Sequence, residues 1–262
     1  MMFPKTIIGF YMITLQELCT SLDLLLQPAL FPDGCPNGLQ VEGKPSIRKC
    51  ATAVSASLAT LEAAVENGVD ALIVHHGLFW NQDSYVITGV KRKKLELLLK
   101  SGLSLLAYHL PLDVHRLYGN NWKAALDLGW ENLEPFGLYK GIAVGVKGTF
   151  KATSLQAFTT LLEEYYEHPA HVALGGSETV KSAALISGAA YRSLPEAALA
   201  GVDCFITGNF DEPAWHQAFE EGINFFALGH SHTEKIGPKA LGQHLSAQFG
   251  LPCPFIDIDN PF

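Results

Sequence analysis

Apolar residues recur at helical intervals at Leu15, Leu18, Leu22 and Leu25, directly after Thr14-Leu15-Gln16-Glu17, whose spacing is that of a capping box. A helix is predicted to start there. An Asn37-Gly38 turn then precedes a short apolar pair, Leu39 and Val41, and residues 43–45 make a second break. Residues 50–56 read as a strand, 57–67 as a helix closed by Gly68, and 70–74 as a buried strand running into His75. Such a strand–helix–strand crossover implies parallel pairing. Residues 91–100 give a further helix ended by Gly102, and 104–109 a strand stopped by Pro111.

The alternation continues in the second half. Strands are predicted at 142–146, 171–174, 183–187, 204–207 and 225–228, with helices at 155–166, 194–200 and 213–221. A last helix at 241–249 and a last strand at 255–258 close the chain. The pattern predicts an α/β fold of two related domains, each a mixed, largely parallel sheet with helices packed outside. Residues 12–130, joined by 230–262, form the first domain, and 131–229 the second, with the boundary near 129–135. Residues 1–11 read as a disordered leader, because Met12 opens a cleaner start.

Three polar segments each follow a predicted strand: Val74-His75-His76-Gly77, His109-Leu110-Pro111-Leu112-Asp113, and Gly229-His230-Ser231-His232-Thr233-Glu234. Ligands of open α/β sheets bind beyond the carboxyl ends of strands, so the three can converge on one site between the domains. Neighbouring side chains on a strand face opposite ways, so His75 and His76 serve different ions unless Gly77 turns the chain. His109 and Asp113 share a face, yet in an extended chain they lie about 13 Å apart, and Pro111 is expected to keep a helix from closing the gap. Of the two, Asp113 is the preferred ligand, because a carboxylate can bridge ions. His230 and Glu234 share a helical face if a helix begins near Ser231.

Imidazole with carboxylate suits Zn²⁺, Fe²⁺, Mn²⁺, Co²⁺ or Ni²⁺ without selecting among them. Five or six such groups exceed one tetrahedral site and point to two ions about 3.5–4 Å apart, bridged by Asp113 or Glu234. His109 and His232 are the candidates for carrying protons. His115, His168, His171, His216 and His244 read as surface or packing residues, and Cys50 and Cys204 as inert core.

Composition narrows the function further. A formal net charge of −8 disfavours a phosphate-backbone binder, and the basic run 91–94 reads as a solvated helix start. Five scattered cysteines with no Cys-x-x-Cys argue against a disulfide framework or a thiolate zinc site, and so for a cytoplasmic protein. The apolar stretch 7–13 is too short to span a bilayer. Residues 141–148 lack the spacing and the Lys-Ser/Thr end of a phosphate-binding loop, and Gly175-Gly176-Ser177 reads as a turn.

Taken together, Asn37-Gly38-Leu39-Gln40-Val41, Ile73 through Trp80, His109 through Asp113, Phe205-Ile206-Thr207-Gly208, Gly229-His230 with Thr233-Glu234, and the closing Phe255 through Pro261 resemble one family. It is that of the NIF-three-like dinuclear-metal proteins, also called the GTP cyclohydrolase I type 2 family, and the resemblance runs over nearly the whole chain from Met12. It implies two metal ions held by His75, His76, Asp113, His230 and Glu234, with His109 as a further member. It also implies a ring-like homohexamer with the metal sites facing an internal cavity, in the short form without an inserted domain. Metal-dependent hydrolysis of GTP or a related nucleotide is the implied activity. The alternative is non-catalytic metal storage or delivery, or partner docking. Two departures stand out: Asn209 where the family often has Glu, and Ser231 where it often has a second His. An amide accepts no proton at neutral pH, so any activity using that Glu as a base is put in question.

Overall fold

The computed structural model describes residues 11–262; the leader expected over 1–11 therefore lies, apart from Tyr11, outside the described residues. The chain enters through β1 (Ile13–Thr14) and α1 (Leu15–Leu26). The capping box forms: Thr14 Oγ1 accepts from Glu17 N at 3.1 Å, and Glu17 Oε2 accepts from Thr14 N at 2.7 Å. Leu18 and Leu22 are fully buried, each contributing roughly 1.5–3 kcal/mol relative to exposure. Next come β2 (Gly38–Val41), β3 (Ser46–Ile47), β4 (Cys50–Ser55), α2 (Leu58–Glu66), β5 (Ala71–His76), α3 (Gly89–Ser101) and β6 (Ser104–Ala107). They are followed by α4 (Leu110–Val114) and α5 (Asn120–Asp127).

Strands β4, β5 and β6 pair in parallel, with β2 antiparallel on the far side of β6, in the order β2-β6-β5-β4. Successive residues of β5 face opposite layers. Leu72 and Val74 pack with Leu61 of α2 and Leu98 of α3, while Ala71 and Ile73 pack with Leu18 and Leu22 of α1. Both faces are thus covered, as the continuous apolar run of a parallel strand requires.

The second half begins with β7 (Glu131–Tyr139) and β8 (Ile142–Ser154), a hairpin whose turn residues Lys140 and Gly141 both take positive φ. It continues through α6 (Leu155–Tyr166), β9 (His171–Leu174), β10 (Thr179–Leu185), α7 (Leu194–Leu199), β11 (Cys204–Thr207), α8 (Pro213–Glu221) and β12 (Asn224–Ala227). Two helices close it, α9 (His230–Thr233) and α10 (Ile236–Phe249). Its six-stranded sheet runs β7-β8-β10-β11-β12-β9, parallel at the centre across β10, β11 and β12 and antiparallel toward both edges. Helix α10 crosses back to pack on β4, so the end of the chain joins the first sheet; Leu241 and Leu245 sit in the same core layer as α1.

Two local expectations are corrected and one strand is added. Pro111 does not block a helix: it occupies the first turn of α4, where no intrahelical N–H is needed and its fixed φ is already helical. Residues 131–139, given no element in the sequence reading, form a full strand; its buried positions Phe136 and Gly137 are adjacent and Leu138 is exposed, so no period-two pattern marks it. The strand expected at 255–258 reduces to a single parallel bridge, Thr52 with Phe255.

Candidate metal centre

Three strand ends deliver the polar segments to one place: β5 ends in His75 and His76, β6 leads into His109, and β12 leads into His230. Each local conformation has a cause. After His76 the chain turns at Gly77, where a Cβ would collide with the Gln40 amide, and Gln40 Oε1 accepts from Leu78 N at 2.8 Å. Helix α4 places Asp113 one turn beyond His109, since Leu112 N and Asp113 N both donate to His109 O. Helix α9 does the same for His230 and Glu234, opening at Gly229 with φ 81°.

The side chains then meet. His75 Nδ1 lies 3.2 Å from the Tyr108 carbonyl oxygen, which can only accept, so Nδ1 carries a proton and Nε2 is turned inward. That Nε2 stands 3.6 Å from Asp113 Oδ1 and 3.5 Å from Glu234 Oε1. His76 contacts Ser55 Oγ through Nδ1 at 3.0 Å and brings Nε2 to 3.2 Å from Glu234 Oε2. His230 Nε2 lies 3.2 Å from the same oxygen. His109 is held by Asp33, whose Oδ1 is 2.9 Å from Nδ1, and by Asn37, whose Oδ1 accepts from His109 N at 2.7 Å. Asp113 Oδ1 accepts from Asn120 Nδ2 at 2.8 Å and Ser187 Oγ at 3.2 Å.

Among the described residues, ligand-capable atoms gather in three trios, each within 4.8 Å: His75, His76 and His109; His76, His230 and Glu234; and His75, Asp113 and Glu234. His75 and Glu234 are buried, yet among the described residues His75 Nε2 and Glu234 Oε2 find no hydrogen-bond partner. Uncompensated buried polar atoms are costly, and inward-facing lone pairs of both nitrogen and oxygen are what a divalent cation satisfies. The residues present therefore fit a metal.

Charge follows the same logic. Burial opposes a charged His75 ring, but the Asp113 and Glu234 carboxylates outweigh it and push its pKa up to about 9. Burial dominates at His76, which falls to about 3 and stays a neutral donor. Burial raises the Asp113 carboxyl, whereas Glu234, though as deeply buried, is held well below the ordinary carboxylate range by His76 and His75.

His232 does not join the cluster: its ring packs 4.5 Å from that of His168. The supports at Asp33, Ser55, Asn120 and Ser187 escaped the sequence reading. Asp33 lies 76 positions from His109, so no local pattern links them. Gln40 and Asn37 were visible only as parts of a motif. Beside the cluster opens a cavity of about 250 Å³ lined by Ser55, His76, Asn209, His230, Ser231 and Asn260, which includes both departures noted above.

Fold and cluster together define an α/β protein with a largely buried imidazole–carboxylate cluster whose groups could hold a metal. Residues 13–261 match the DUF34/NIF3 (NGG1p interacting factor 3) family, and the chain belongs to it. It is 51% identical to the "GTP cyclohydrolase 1 type 2 homolog" of Chlamydia pneumoniae, over 94% of this chain and 98% of the relative. The protein of that name from Archaeoglobus fulgidus is 41% identical over 93% and 98%. Among solved structures, TTHA1606 of Thermus thermophilus superposes with a TM-score of 0.89 at 38% identity, covering 95% of this chain and 100% of that one. The protein ybgI, described as of unknown function, gives 0.88 at 37% identity over 95% and 100%. Among the described residues no helix is long and apolar enough to cross a membrane.

Proposed function

We propose that this protein is a cytoplasmic metal-dependent hydrolase that holds two divalent cations and acts on GTP or a related nucleotide. The observation that carries the reading is the division of the cluster about Glu234. One of its oxygens faces His76 and His230 and the other faces His75, whose Nε2 also faces Asp113. Two adjoining ligand sets sharing one carboxylate suit a dinuclear centre, with His75, His76, Asp113, His230 and Glu234 as ligands. Cations bound there would supply Lewis acidity and lower the pKa of coordinated water.

The chain's own groups do the rest. His109 faces the cluster with its Nδ1 fixed on Asp33, which orients the ring toward the other imidazoles, so His109 takes the proton-carrying role. Trp80 sets its ring edge-on to that of His109, 5.1 Å between centroids, and so packs against that side of the imidazole. Ser55, Asn209, Ser231 and Asn260 offer neutral hydrogen-bonding groups to a substrate in the adjoining cavity. The names borne by the relatives support a nucleotide substrate. The test is turnover of a nucleotide panel including GTP by metal-loaded protein. Rates no greater than those of a His76→Ala, Glu234→Ala double variant would end the hydrolase reading.

A second reading, metal storage or delivery, is favoured by one observation. Asn209 lines the cavity where a carboxylate base would be useful, and it cannot accept a proton. A delivery protein gives up its ions to a modest chelator within minutes, whereas a hydrolase retains at least one.

A further inference from the structure

Two thiols meet where the end of the chain runs beside β4. Cys50 N donates to Pro252 O at 2.9 Å, Thr52 N donates to Pro254 O at 3.0 Å, and Ile256 N donates back to Thr52 O at 2.7 Å. In a parallel ladder a residue donates to the position before its partner and accepts from the position after it. Thr52 therefore opposes Phe255, the observed bridge, and two positions earlier Cys50 opposes Cys253. Directly opposed residues point to the same side. Both side chains indeed pack in one core layer with Leu15, Leu18 and Leu251, Cys50 fully buried and Cys253 half-buried. Neighbouring strands lie about 4.7–4.9 Å apart, inside the Cα separation of roughly 4.4–6.8 Å that a disulfide spans.

We propose that Cys50 and Cys253 form a redox-modifiable pair, which closes to a disulfide and fastens residues 251–262 to β4. What is fastened matters to the candidate centre. Residues 255–260 wall a groove with Ser57 and Thr60, and Asn260 and Phe262 reach the cavity beside His76 and His230. Besides the ladder and the burial of Leu251, this segment is tied back by Ser246 Oγ donating to Leu251 O at 2.8 Å, Ser231 N donating to Phe262 O at 2.9 Å, the contact of His168 Nε2 with Pro261 O at 3.2 Å and the Lys235–Asp257 ion pair at 2.9 Å. A covalent link would hold that wall in place.

The chemistry is thiol–disulfide exchange with a low-molecular-weight disulfide, RSSR. Contact with the Cys253 thiol and burial both push the Cys50 thiol up, which leaves the more exposed Cys253 to react first. Its thiolate attacks one sulfur of RSSR, forming a Cys253–S–SR bond and expelling RS⁻. Cys50 then loses its proton to RS⁻ and attacks the Cys253 sulfur, expelling the second RS⁻, which takes up the proton released by Cys253. Two protein thiols are oxidised and one RSSR is reduced to two RSH.

The test exposes the full chain to glutathione disulfide, counts thiols after denaturation and maps peptides without reduction. The count should fall from five to three, with Cys50 linked to Cys253 and with dithiothreitol restoring all five. The oxidised protein should melt several degrees higher than the reduced one. Cys253→Ser, at a half-buried position, should fold normally, keep its four thiols and show no oxidant-dependent shift, while Cys19→Ser should behave as wild type apart from the missing thiol. Five surviving thiols, a glutathione adduct on Cys253 with Cys50 still free, or a link between any other pair would overturn the proposal.

Discussion

At the residue scale, the placement of Glu234 rests on a glycine. Gly188 has φ +68° and lies so close that a Cβ there would run into Glu234 Oε1 and approach His230 Nε2 to 3.2 Å. On the proposed dinuclear reading, Gly188→Ala should therefore displace the carboxylate and reduce bound metal from two ions to one or none while circular dichroism stays native. Two ions retained by elemental analysis would show that this crowding is harmless. Protonation supplies another handle. Carboxylates raise the His75 pKa to about 9, so below that pH the metal-free ring holds a proton that a cation must expel. Binding at pH 7 should release on the order of one proton, read from the buffer dependence of the calorimetric heat, and affinity should fall as the solution is acidified.

Asp33 gives the converse case. Burial would raise its carboxyl, but the hydrogen bond and charge of His109, with hydrogen bonds from Asn37 and Leu110, hold it well below its usual value. A depressed carboxyl contributes stability that is present above the unfolded pKa and lost as pH falls through the folded one. Asp33→Asn should cost about 1–3 kcal/mol at neutral pH. In chemical denaturation the gap from wild type should narrow below about pH 4; a gap independent of pH would remove the charge from the explanation.

At the element scale, capping decides where the first helix starts. Thr14 Oγ1 satisfies Glu17 N, and Thr14→Ala should cost about 1 kcal/mol, with a fall of roughly 2–4 °C in Tm. An unchanged Tm would mean that the packing of Leu15, Leu18, Leu22 and Leu26 alone sets the boundary. Helix α4 shows how an element can be misjudged. Proline is prohibitive in a helix interior but harmless in the first turn, and only the start at Leu110 makes Pro111 a first-turn residue. That single turn turns an expected separation of about 13 Å into two groups within one cluster.

At the scale of the whole molecule, the site is a product of two sheets. Strands β5 and β6 of one and β12 of the other end at the same place, and Ser187 after β10 steadies Asp113 across the gap. Large apolar side chains remain exposed elsewhere, among them Trp215, Phe219, Leu199 and Leu138. Self-association would cover such surface. A homohexamer is our expectation, and light scattering should report about six times the 28.4 kDa chain mass. A monomer at micromolar concentration would refute it.

Periodicity made most helices and central strands legible, because one buried stripe or one continuous apolar run leaves its mark on neighbouring positions. Local spacing also pointed to His75, His76, Asp113, His230 and Glu234, since those groups follow strand ends within a few residues. Strand β7 and helix α5 were not legible: α5 buries the polar Asn120 and Asn121, and β7 buries the adjacent Phe136 and Gly137 while leaving Leu138 exposed, so neither shows a clean repeat. Tertiary structure alone decided that His232 turns to His168 and not to the cluster, and that Asp33 and Ser55 orient the imidazoles. Short-range order is written in adjacent residues, whereas contacts spanning tens of positions exist only once the sheets have packed.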